Sequence, residues 1–455
     1  MATSNIDLHY TPIKRCFKHY LLPAITGLVI KSLFIMGDTI MIGRGTGPDG
    51  LGAVALTIPF FSFFTAIAMM LGIGGSAMMA IQFGKGRFQE GQTLFVQSLL
   101  LTLLLAGSLS FAGLYWLDDI LALMGAQGNI AELTSDFLGI MLQFFIIYAL
   151  GWVLSCFIRN DGNPKLAMYA MAGSALLNLV LDYFFIFHFG WGIKGAAYAT
   201  GIAQSLMLLF LLTHFITPRS RLRLSLKGSG LNKAPKILSI GLPIFFIESS
   251  MAATTLIYNI VLLDLGGELY LNAFSIVMNV GIFVMFILVG VGQACQPIIS
   301  FNHGAEATER VRETLFIGLK FAVITGVIAV IASQLFSTQI ASVFTVDNPE
   351  LVMLSASALA FYFLAFPFMA LNLVTATMFQ SIGSPANANI ISIFRGFLFV
   401  IVGLFVLPKF LPETGVWLSP LFAETLTAFI SLILLTRLLK KMNTSNPNPA
   451  TADQT

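Results

Sequence analysis

The sequence contains little charge and few cysteine or histidine residues. Of its 455 residues 10% are charged, three are cysteines and five are histidines. The cysteines all lie in or near apolar segments and show neither a disulfide pattern nor metal-ligand spacing. The histidines do not cluster, and the chain lacks HExxH, GxSxG and Walker motifs. These absences argue against an enzyme and against a protein powered by ATP, and we expect no cofactor beyond a coupling ion.

Hydrophobic residues, in contrast, make up 57% of the chain, and the mean hydropathy is +0.88. These values lie far outside the range of soluble globular proteins. The apolar runs reach about 20 residues or more, which is the length a helix needs to cross a bilayer. No alternating strands typical of a β-barrel are visible. We predict an all-α polytopic membrane protein with twelve transmembrane helices, at residues 17–43, 51–83, 94–117, 133–157, 166–189, 194–216, 236–263, 271–301, 314–337, 350–380, 387–408 and 415–439.

The distribution of Lys and Arg predicts the orientation of these helices. An even number of spans places both termini on the same side as the stretch at 217–236, TPRSRLRLSLKGSGLNKAPK, which holds six basic and no acidic residues. The positive-inside rule makes this side cytoplasmic. We therefore expect a multi-pass protein of the cell (inner) membrane with both termini in the cytoplasm. The net charge of +3 reflects this orientation and does not indicate a nucleic-acid partner.

The two halves of the chain resemble each other at an offset of about 220 residues. GIGGSAMMAIQFGKG, which begins at Gly72, matches GVGQACQPIISFNHG, which begins at Gly290. Six helices in each half give the halves the same orientation, so the repeat is parallel, as in transporters whose halves rock around a shared cavity. The predicted parts are a cytoplasmic N-terminus at 1–16, an N-lobe at 17–216, a basic linker at 217–235, a C-lobe at 236–440 and a disordered cytoplasmic tail at 441–455.

The repeat fails at two acidic residues. Asp38 aligns with Tyr258, and Asp182, in LLNLVLDYFFIF, has no acidic counterpart either. A carboxylate in the middle of a membrane costs about 2.5–3.5 kcal/mol on insertion scales, so it is a functional candidate by default. Asn178 lies one helical turn before Asp182 on the same face, and Thr200 on the next helix lies near the same level. These four side chains therefore form the candidate site.

The chemistry of this set suits two different ions. Two carboxylates, an amide oxygen and a hydroxyl form a hard oxygen site for Na⁺. Two neighbouring acids in a low dielectric also favour a shared proton, which a proton carrier requires. Secondary candidates are Glu248 and Lys31, which also lie inside predicted spans. Arg395 and Glu424 are expected to form a structural ion pair between neighbouring helices.

On these residues the chain resembles the multidrug and toxic compound extrusion (MATE) transporters over nearly its whole length. PAITGLVIKSLFIMGDTIMIGR resembles the first helix of that family, and LNLVLDYFFIF and GAAYAT resemble the fifth and sixth helices of its DinF-like and MepA-like branches. The resemblance implies that the matching residues couple transport to a cation and that the first helix bends at its proline. The residues concerned are Asp38, Asn178, Asp182 and Thr200 for the coupling, and Pro23 for the bend.

One departure from the family concerns the second half. Met369 stands where NorM-like members carry an acid in the tenth helix, although Glu248 is retained. The resemblance therefore does not imply a second cation site in the C-lobe.

The leading functional prediction is a cation-coupled multidrug antiporter. It would exchange H⁺, the favoured ion, or Na⁺ for organic cations and drug-like amphiphiles by alternating access. It would act in the lipid bilayer as a monomer, the state that the resemblance implies. The alternative is a flippase for a lipid-linked or polyprenyl precursor. A flippase needs a basic cavity, whereas the expected cavity is acidic, with only Lys31 and Arg395 as nearby bases.

Overall fold

The computed structural model describes residues 6–217, 220–224, 230–345 and 348–444, except for the side chain of Ala252. All regular secondary structure in these residues is helical. Ten of the helical segments are long and apolar enough to cross a membrane. The α-helices are α1 Ile13–Gly84, α2 Phe88–Tyr115, α3 Leu117–Leu123, α4 Gly128–Asn160, α5 Pro164–Asp182, α6 Gly192–Leu212, α7 Ala234–Gly304, α8 Thr308–Phe344, α9 Pro349–Tyr362, α10 Phe366–Ser381, α11 Pro385–Ile393, α12 Phe399–Phe410 and α13 Gly415–Thr444.

The two longest helices, α1 and α7, are helical hairpins. Gly47 in α1 has a φ of 72° and Gly267 in α7 has a φ of 62°, which is the left-handed region that glycine adopts most easily. In α7 the ring of Tyr258 stacks on that of Phe274, with 4.6 Å between the centroids, although a straight helix would separate these residues by about 24 Å. Each hairpin therefore crosses the membrane twice. The predicted twelve transmembrane helices are confirmed.

Spans five and eleven each contain a π-helical segment. α5 continues into the π-helix Tyr183–His188, and α11 continues through the π-helix Phe394–Leu398 into α12. Such segments are rare and frequently lie at functional sites. The apolar pattern of the sequence showed no sign of them.

The predicted domain boundaries stay predictions, and one of them falls inside a helix. α13 extends past the predicted boundary at 440 and ends at Thr444, so residues 441–444 are helical. The remainder of the predicted tail, 445–455, lies outside the described residues, as do residues 1–5, 218–219 and 225–229 of the N-terminus and linker.

The first helix of each lobe begins in the core of the other lobe. Ile13 and Phe17 of α1 belong to a hydrophobic core built mainly from α7, α8, α9 and α10, and Phe17 meets Phe321 of α8 edge-on. Conversely, Ile237 and Ile240 of α7 pack with the second arm of α1 (48–84), α2 and α4. The two lobes therefore share α1 and α7, and a movement between the lobes must displace both helices.

The lobes touch most closely at the end of the bundle that carries the loop between α6 and α7, which we call the linker end. A Cβ atom on Gly84 would lie 2.0 Å from the carbonyl oxygen of Phe301, and one on Gly304 would lie 2.0 Å from that of Ile81. A contact this close is open only to glycine. The backbones of α1 and α7 therefore close the bundle at the linker end.

Polar side chains tie the same boundary together. Asn160 of α4 and Gln296 of α7 exchange two amide hydrogen bonds of 2.9 and 3.1 Å, both fully buried. Next to them, Arg159 donates to the side-chain oxygen of Gln293. A buried polar group without a hydrogen-bond partner destabilises the folded protein, so these contacts favour the closed arrangement of the linker end.

A buried ion pair holds span eleven against α13 in the C-lobe. Arg395 donates to Glu424 Oε1 through Nη2 at 2.8 Å and through Nε at 3.1 Å. The Asn372 amide donates to Glu424 Oε2 at 2.7 Å and accepts from Ser431. The predicted structural pair between Arg395 and Glu424 is confirmed.

We predict that a side chain at Gly84 opens the linker end. In Gly84→Val the added Cβ collides with the Phe301 carbonyl, and overpacking of this kind costs about 1–3 kcal/mol. The check is a distance distribution between spin labels at Gln89 and Glu313, which are exposed on the two lobes, in a cysteine-free background. We expect a longer distance than in wild type.

The matched control for this prediction is Gly173→Val in α5. No atom lies within 4 Å of the position of its added Cβ, so we expect the wild-type distance distribution. An unchanged distribution in Gly84→Val would show that the glycine contact does not hold the lobes together.

We predict that removing one member of the C-lobe ion pair destabilises the protein more than removing both. Glu424→Leu leaves the buried Arg395 charge unpaired, and breaking a buried pair costs about 3–5 kcal/mol. The double variant Arg395→Met with Glu424→Leu should recover most of this loss. The measurement is the temperature at which half of the detergent-purified protein is lost from the monodisperse chromatographic peak. A double variant as unstable as Glu424→Leu would contradict the prediction.

Candidate cation site and central cavity

The first arm of α1 (13–46) packs along α5. A Cβ on Gly27 would meet Met168, and a Cβ on Gly37 would lie 2.8 Å from the side chain of Leu179. Glycines at such a seam let two membrane helices approach closely. The contact moves forward along both helices together, so the two helices run in the same direction. The C-terminal part of the first arm of α1 therefore lies beside the C-terminal end of α5.

This seam brings Asp38 and Asp182 together. Their carboxyl groups lie within hydrogen-bonding reach of each other. Asp182 has no exposed surface, and each residue keeps one buried carboxyl oxygen without a partner. Within the described residues neither carboxyl forms a salt bridge. Two ionised carboxylates in contact repel each other, so the arrangement is stable when they share a proton.

Asn178 and Thr200 complete the site. With Asp182 ionised, the Asn178 amide fits its neighbours when its nitrogen donates to Asp182 Oδ2 at 2.8 Å and its oxygen accepts from Thr200 N at 3.0 Å and Thr200 Oγ1 at 3.2 Å. With Asp182 protonated, the opposite orientation fits as well, and the Asn178 nitrogen then donates to Thr200 Oγ1 at 3.2 Å. Asn178 is almost fully buried. All four side chains selected from the sequence are therefore adjacent in the N-lobe, joined by α1, α5 and α6.

The two orientations of the Asn178 amide correspond to different occupants of the site. When its nitrogen donates to Asp182, the Asn178 oxygen accepts a hydrogen bond from the Thr200 hydroxyl. A Na⁺ ion would need the Asn178 and Thr200 oxygens as ligands, together with the carboxylates, and therefore the opposite orientation of the amide.

A central cavity of about 510 Å³ lies between the two lobes. Its wall is formed by residues of α1, α4, α7, α10, α13 and span eleven, and none of the four cation-site residues belongs to it. Lys31 lines this cavity from α1, seven residues and therefore about 10 Å before Asp38 on the same face of that helix. The cation site and the cavity are thus separate, and α1 belongs to both.

The cavity is not acidic, and that expectation was wrong. Among the residues that the structure describes, three bases and two acids line it: Lys31, Arg159, Arg395, Glu248 and Glu424. The carboxylates expected in the cavity instead face each other inside the N-lobe. In addition, Arg159, which lies two residues past the predicted end of the fourth span at 157, lies on the cavity wall because α4 continues to Asn160.

The two secondary candidates, Lys31 and Glu248, both line the cavity. The Lys31 ammonium lies 4.7 Å from the centre of the Trp152 ring, a cation–π contact. Glu248 attracts Lys31 electrostatically, but in the described part of the chain the two form no direct salt bridge. At Pro23 the backbone of α1 remains helical, since the non-helical dihedral angles of this helix fall at Gly47. The bend at Pro23 stays a prediction.

Methionine side chains supply much of the apolar wall, which sequence reasoning could not foresee. Methionine is flexible and polarisable, and surfaces rich in it adapt to ligands of different shape. Periodicity alone does not separate cavity-lining residues from those that face lipid. The methionines on the wall are Met69, Met251, Met278, Met285 and Met369.

Comparison with known proteins agrees with this architecture. The profile of the MatE family matches residues 23–184 and 243–406, one copy in each lobe. The multidrug export protein MepA of Staphylococcus haemolyticus is 26% identical over 440 residues, covering 94% of this chain and 95% of that protein.

Solved structures agree as well. An outward-facing multidrug resistance MATE transporter matches with a TM-score of 0.91 at 25% identity, over 98% of this chain and 100% of that one. A transporter from Pyrococcus furiosus, described as having a binding pocket of reversed polarity, matches with a TM-score of 0.90 at 25% identity, over 97% and 99%. The chain therefore belongs to the MatE family of multidrug and toxic compound extrusion transporters and is a multi-pass membrane protein.

Proposed function

We propose that this protein is a cation-coupled antiporter that exports drug-like amphiphiles, organic cations among them, with H⁺ as the favoured coupling ion and Na⁺ as the alternative. The observation that carries this proposal is the contact between Asp38 and Asp182 at the α1–α5 seam, without a salt bridge to a base in the described residues. Such a pair can take up and release one proton while it remains buried.

The proposed orientation places the linker end in the cytoplasm of a cell whose inner membrane contains the protein. The excess of Lys and Arg near the termini and in the linker supports this orientation. With the lobes closed at the linker end, the central cavity then belongs to an outward-facing state. The likeness to an outward-facing MATE structure agrees with this assignment.

The proposed mechanism uses α1 as the connection between ion and drug. A proton that enters from outside binds the Asp38–Asp182 pair and strengthens the contact between α1 and α5. Since α1 also carries Leu28 and Lys31 into the cavity wall, a shift of this helix changes the drug site. Coupling follows if the proton and the drug favour different states, because each ligand then lowers the affinity for the other.

The flippase remains the second candidate, and one observation favours it. Three bases line the cavity, and a lipid-linked precursor carries phosphates that need such groups. Arg395 is already neutralised by Glu424, however, which leaves Lys31 and Arg159 against the acid Glu248. Two bases against one acid suit a group with a single negative charge or a zwitterionic group better than a diphosphate.

We predict that neutralising either aspartate of the pair abolishes gradient-driven export. The measurement is efflux of a fluorescent organic cation from proteoliposomes, driven separately by an imposed pH gradient and an imposed Na⁺ gradient. Wild type should transport on the pH gradient, and Asp38→Asn and Asp182→Asn should lose at least about tenfold in rate, because one acid alone no longer exchanges the shared proton. The control Asp264→Asn, an exposed acid, should transport normally.

Three outcomes would contradict the proposal of a proton-coupled antiporter. Transport that requires Na⁺ would make the four residues a metal-ion site. Full transport by Asp38→Asn would refute the role of the pair. Absence of transport under both gradients would favour the flippase, which a scramblase-type assay with a fluorescent polyprenyl phosphate would then test.

We predict that drug affinity rises with pH. If a bound proton and a bound drug exclude each other, drug binding releases a proton, and the drug affinity increases by up to about tenfold per pH unit in the range where the pair titrates. Equilibrium binding to detergent-purified protein across a pH series measures this. In Asp182→Asn the affinity should no longer depend on pH, and an unaltered pH dependence in that variant would place the titrating group elsewhere.

A further inference from the structure

Lys31 and Glu248 present opposite charges to the central cavity from different lobes. Lys31 lies on the first arm of α1 and Glu248 on the first arm of α7 (234–265), and both are half-buried in the cavity wall. They attract each other but are not joined in a salt bridge within the described residues. Two opposite charges that face one cavity without pairing can both bind a ligand.

Of the other charged residues that the described part of the chain brings to the cavity wall, two neutralise each other and the third, Arg159, is held by neutral groups. Arg395 and Glu424 neutralise each other at 2.8 Å. Arg159 donates to Gln293 and, at 3.4 Å, to the sulfur of Cys156, and it lies two helical turns beyond Trp152 on α4. The Lys31 ammonium lies over the Trp152 ring, and no side-chain hydrogen bond to it is found in the described part of the chain. Among the described residues Lys31 and Glu248 are therefore the opposite charges on the wall that remain for a zwitterion, and Arg159 adds a third, positive charge about 10 Å from Trp152 along α4.

We propose that Lys31 and Glu248 form a substrate-selecting pair that favours zwitterionic amphiphiles over purely cationic ones. The carboxylate of the substrate binds Lys31, its cationic centre binds Glu248, and its apolar body packs on Trp152 and the methionine wall. This inference rests on the proposed export function and names the class of molecule that the same cavity prefers.

A purely cationic amphiphile satisfies only half of this pair. Its positive charge gains from Glu248 but is repelled by Lys31, whose own charge then remains without an anionic partner. A zwitterion meets both charges, and charge-assisted hydrogen bonds are about twice as strong as neutral ones. Selectivity arises from both effects, since a repulsive element against one ligand discriminates as well as an attractive one for another.

The placement of the two charges on different lobes also links substrate binding to the transport cycle. When the lobes move, the distance between Lys31 and Glu248 changes, whereas a site built on one lobe keeps its geometry. The affinity for a zwitterion that bridges the pair therefore differs between the two states. Alternating access requires a difference of this kind.

The test uses two dyes that share one fluorescent body. Rhodamine 110 carries a carboxylate and a delocalised cation, and rhodamine 123 is its methyl ester, which is only cationic. Binding is measured by fluorescence anisotropy on the full-length protein in lipid nanodiscs at neutral pH, without any ion gradient. Wild type should bind rhodamine 110 about tenfold more tightly than rhodamine 123, the ratio that corresponds to about 1.4 kcal/mol.

The variants separate the two charges. Lys31→Gln should bind rhodamine 110 about tenfold more weakly, because it loses roughly one charge-assisted contact. The same variant should bind rhodamine 123 as tightly as wild type or more tightly. Lys31→Arg should restore the preference for rhodamine 110. Glu248→Gln should weaken the binding of both dyes. Lys320→Gln, which removes an exposed lysine on α8, should leave both affinities unchanged.

The result that overturns the proposal is tighter or equal binding of rhodamine 123 to wild type, or a rhodamine 110 affinity that Lys31→Gln does not alter. Because binding is measured without a gradient, its outcome is independent of the antiport test. If the binding order holds but neither dye is driven by an ion gradient, the selecting pair stands and the antiporter proposal fails. If an ion gradient drives transport but wild type shows no preference for rhodamine 110, the antiporter proposal stands and the selecting pair fails.

Discussion

The contact between Asp38 and Asp182 is the constraint on which the N-lobe depends. Two acids inside a membrane bundle are tolerated only where polar neighbours offset the free-energy cost of burying them. Here the neighbours of Asp182 are the carboxyl group of Asp38 and the side chain of Asn178. The glycines along α1 bring this helix close enough to α5 for the carboxyls to meet. The same seam therefore packs the two helices against each other and brings the two carboxyl groups together.

The α1–α5 seam is connected to the C-lobe because the first helix of each lobe begins in the core of the other lobe. The first arm of α1 begins in the core of the C-lobe, passes the central cavity at Lys31 and lies beside α5 at Asp38. A helix held at both ends in different lobes transmits displacement along its length, since its backbone hydrogen bonds make it stiff. The candidate cation site and the cavity are thus separate in space, and the first arm of α1 runs through both.

The distribution of charge differs between the lobes for a structural reason. At the position that corresponds to Asp38, the C-lobe has Tyr258, whose ring stacks on Phe274 inside the hairpin α7. Glu424, a buried acid of the C-lobe, is satisfied by Arg395 and Asn372. Among the described residues the cavity between the lobes receives three basic and two acidic side chains, and one base and one acid of this set neutralise each other.

Much of the architecture follows from the sequence alone. Apolar length determined the twelve spans, the repeat determined the two lobes, and the buried polar residues selected four side chains that the structure brings together as a candidate cation site, because each signal is local or involves the cost of burying charge. The hairpins of α1 and α7, the π-helical segments and the placement of Arg159 depend on backbone conformation and on helix ends. The sign of the cavity charge depends on which side chains turn inward from several helices at once. Only the tertiary structure could decide these, since helical periodicity does not show whether an apolar face meets lipid, another helix or an internal cavity.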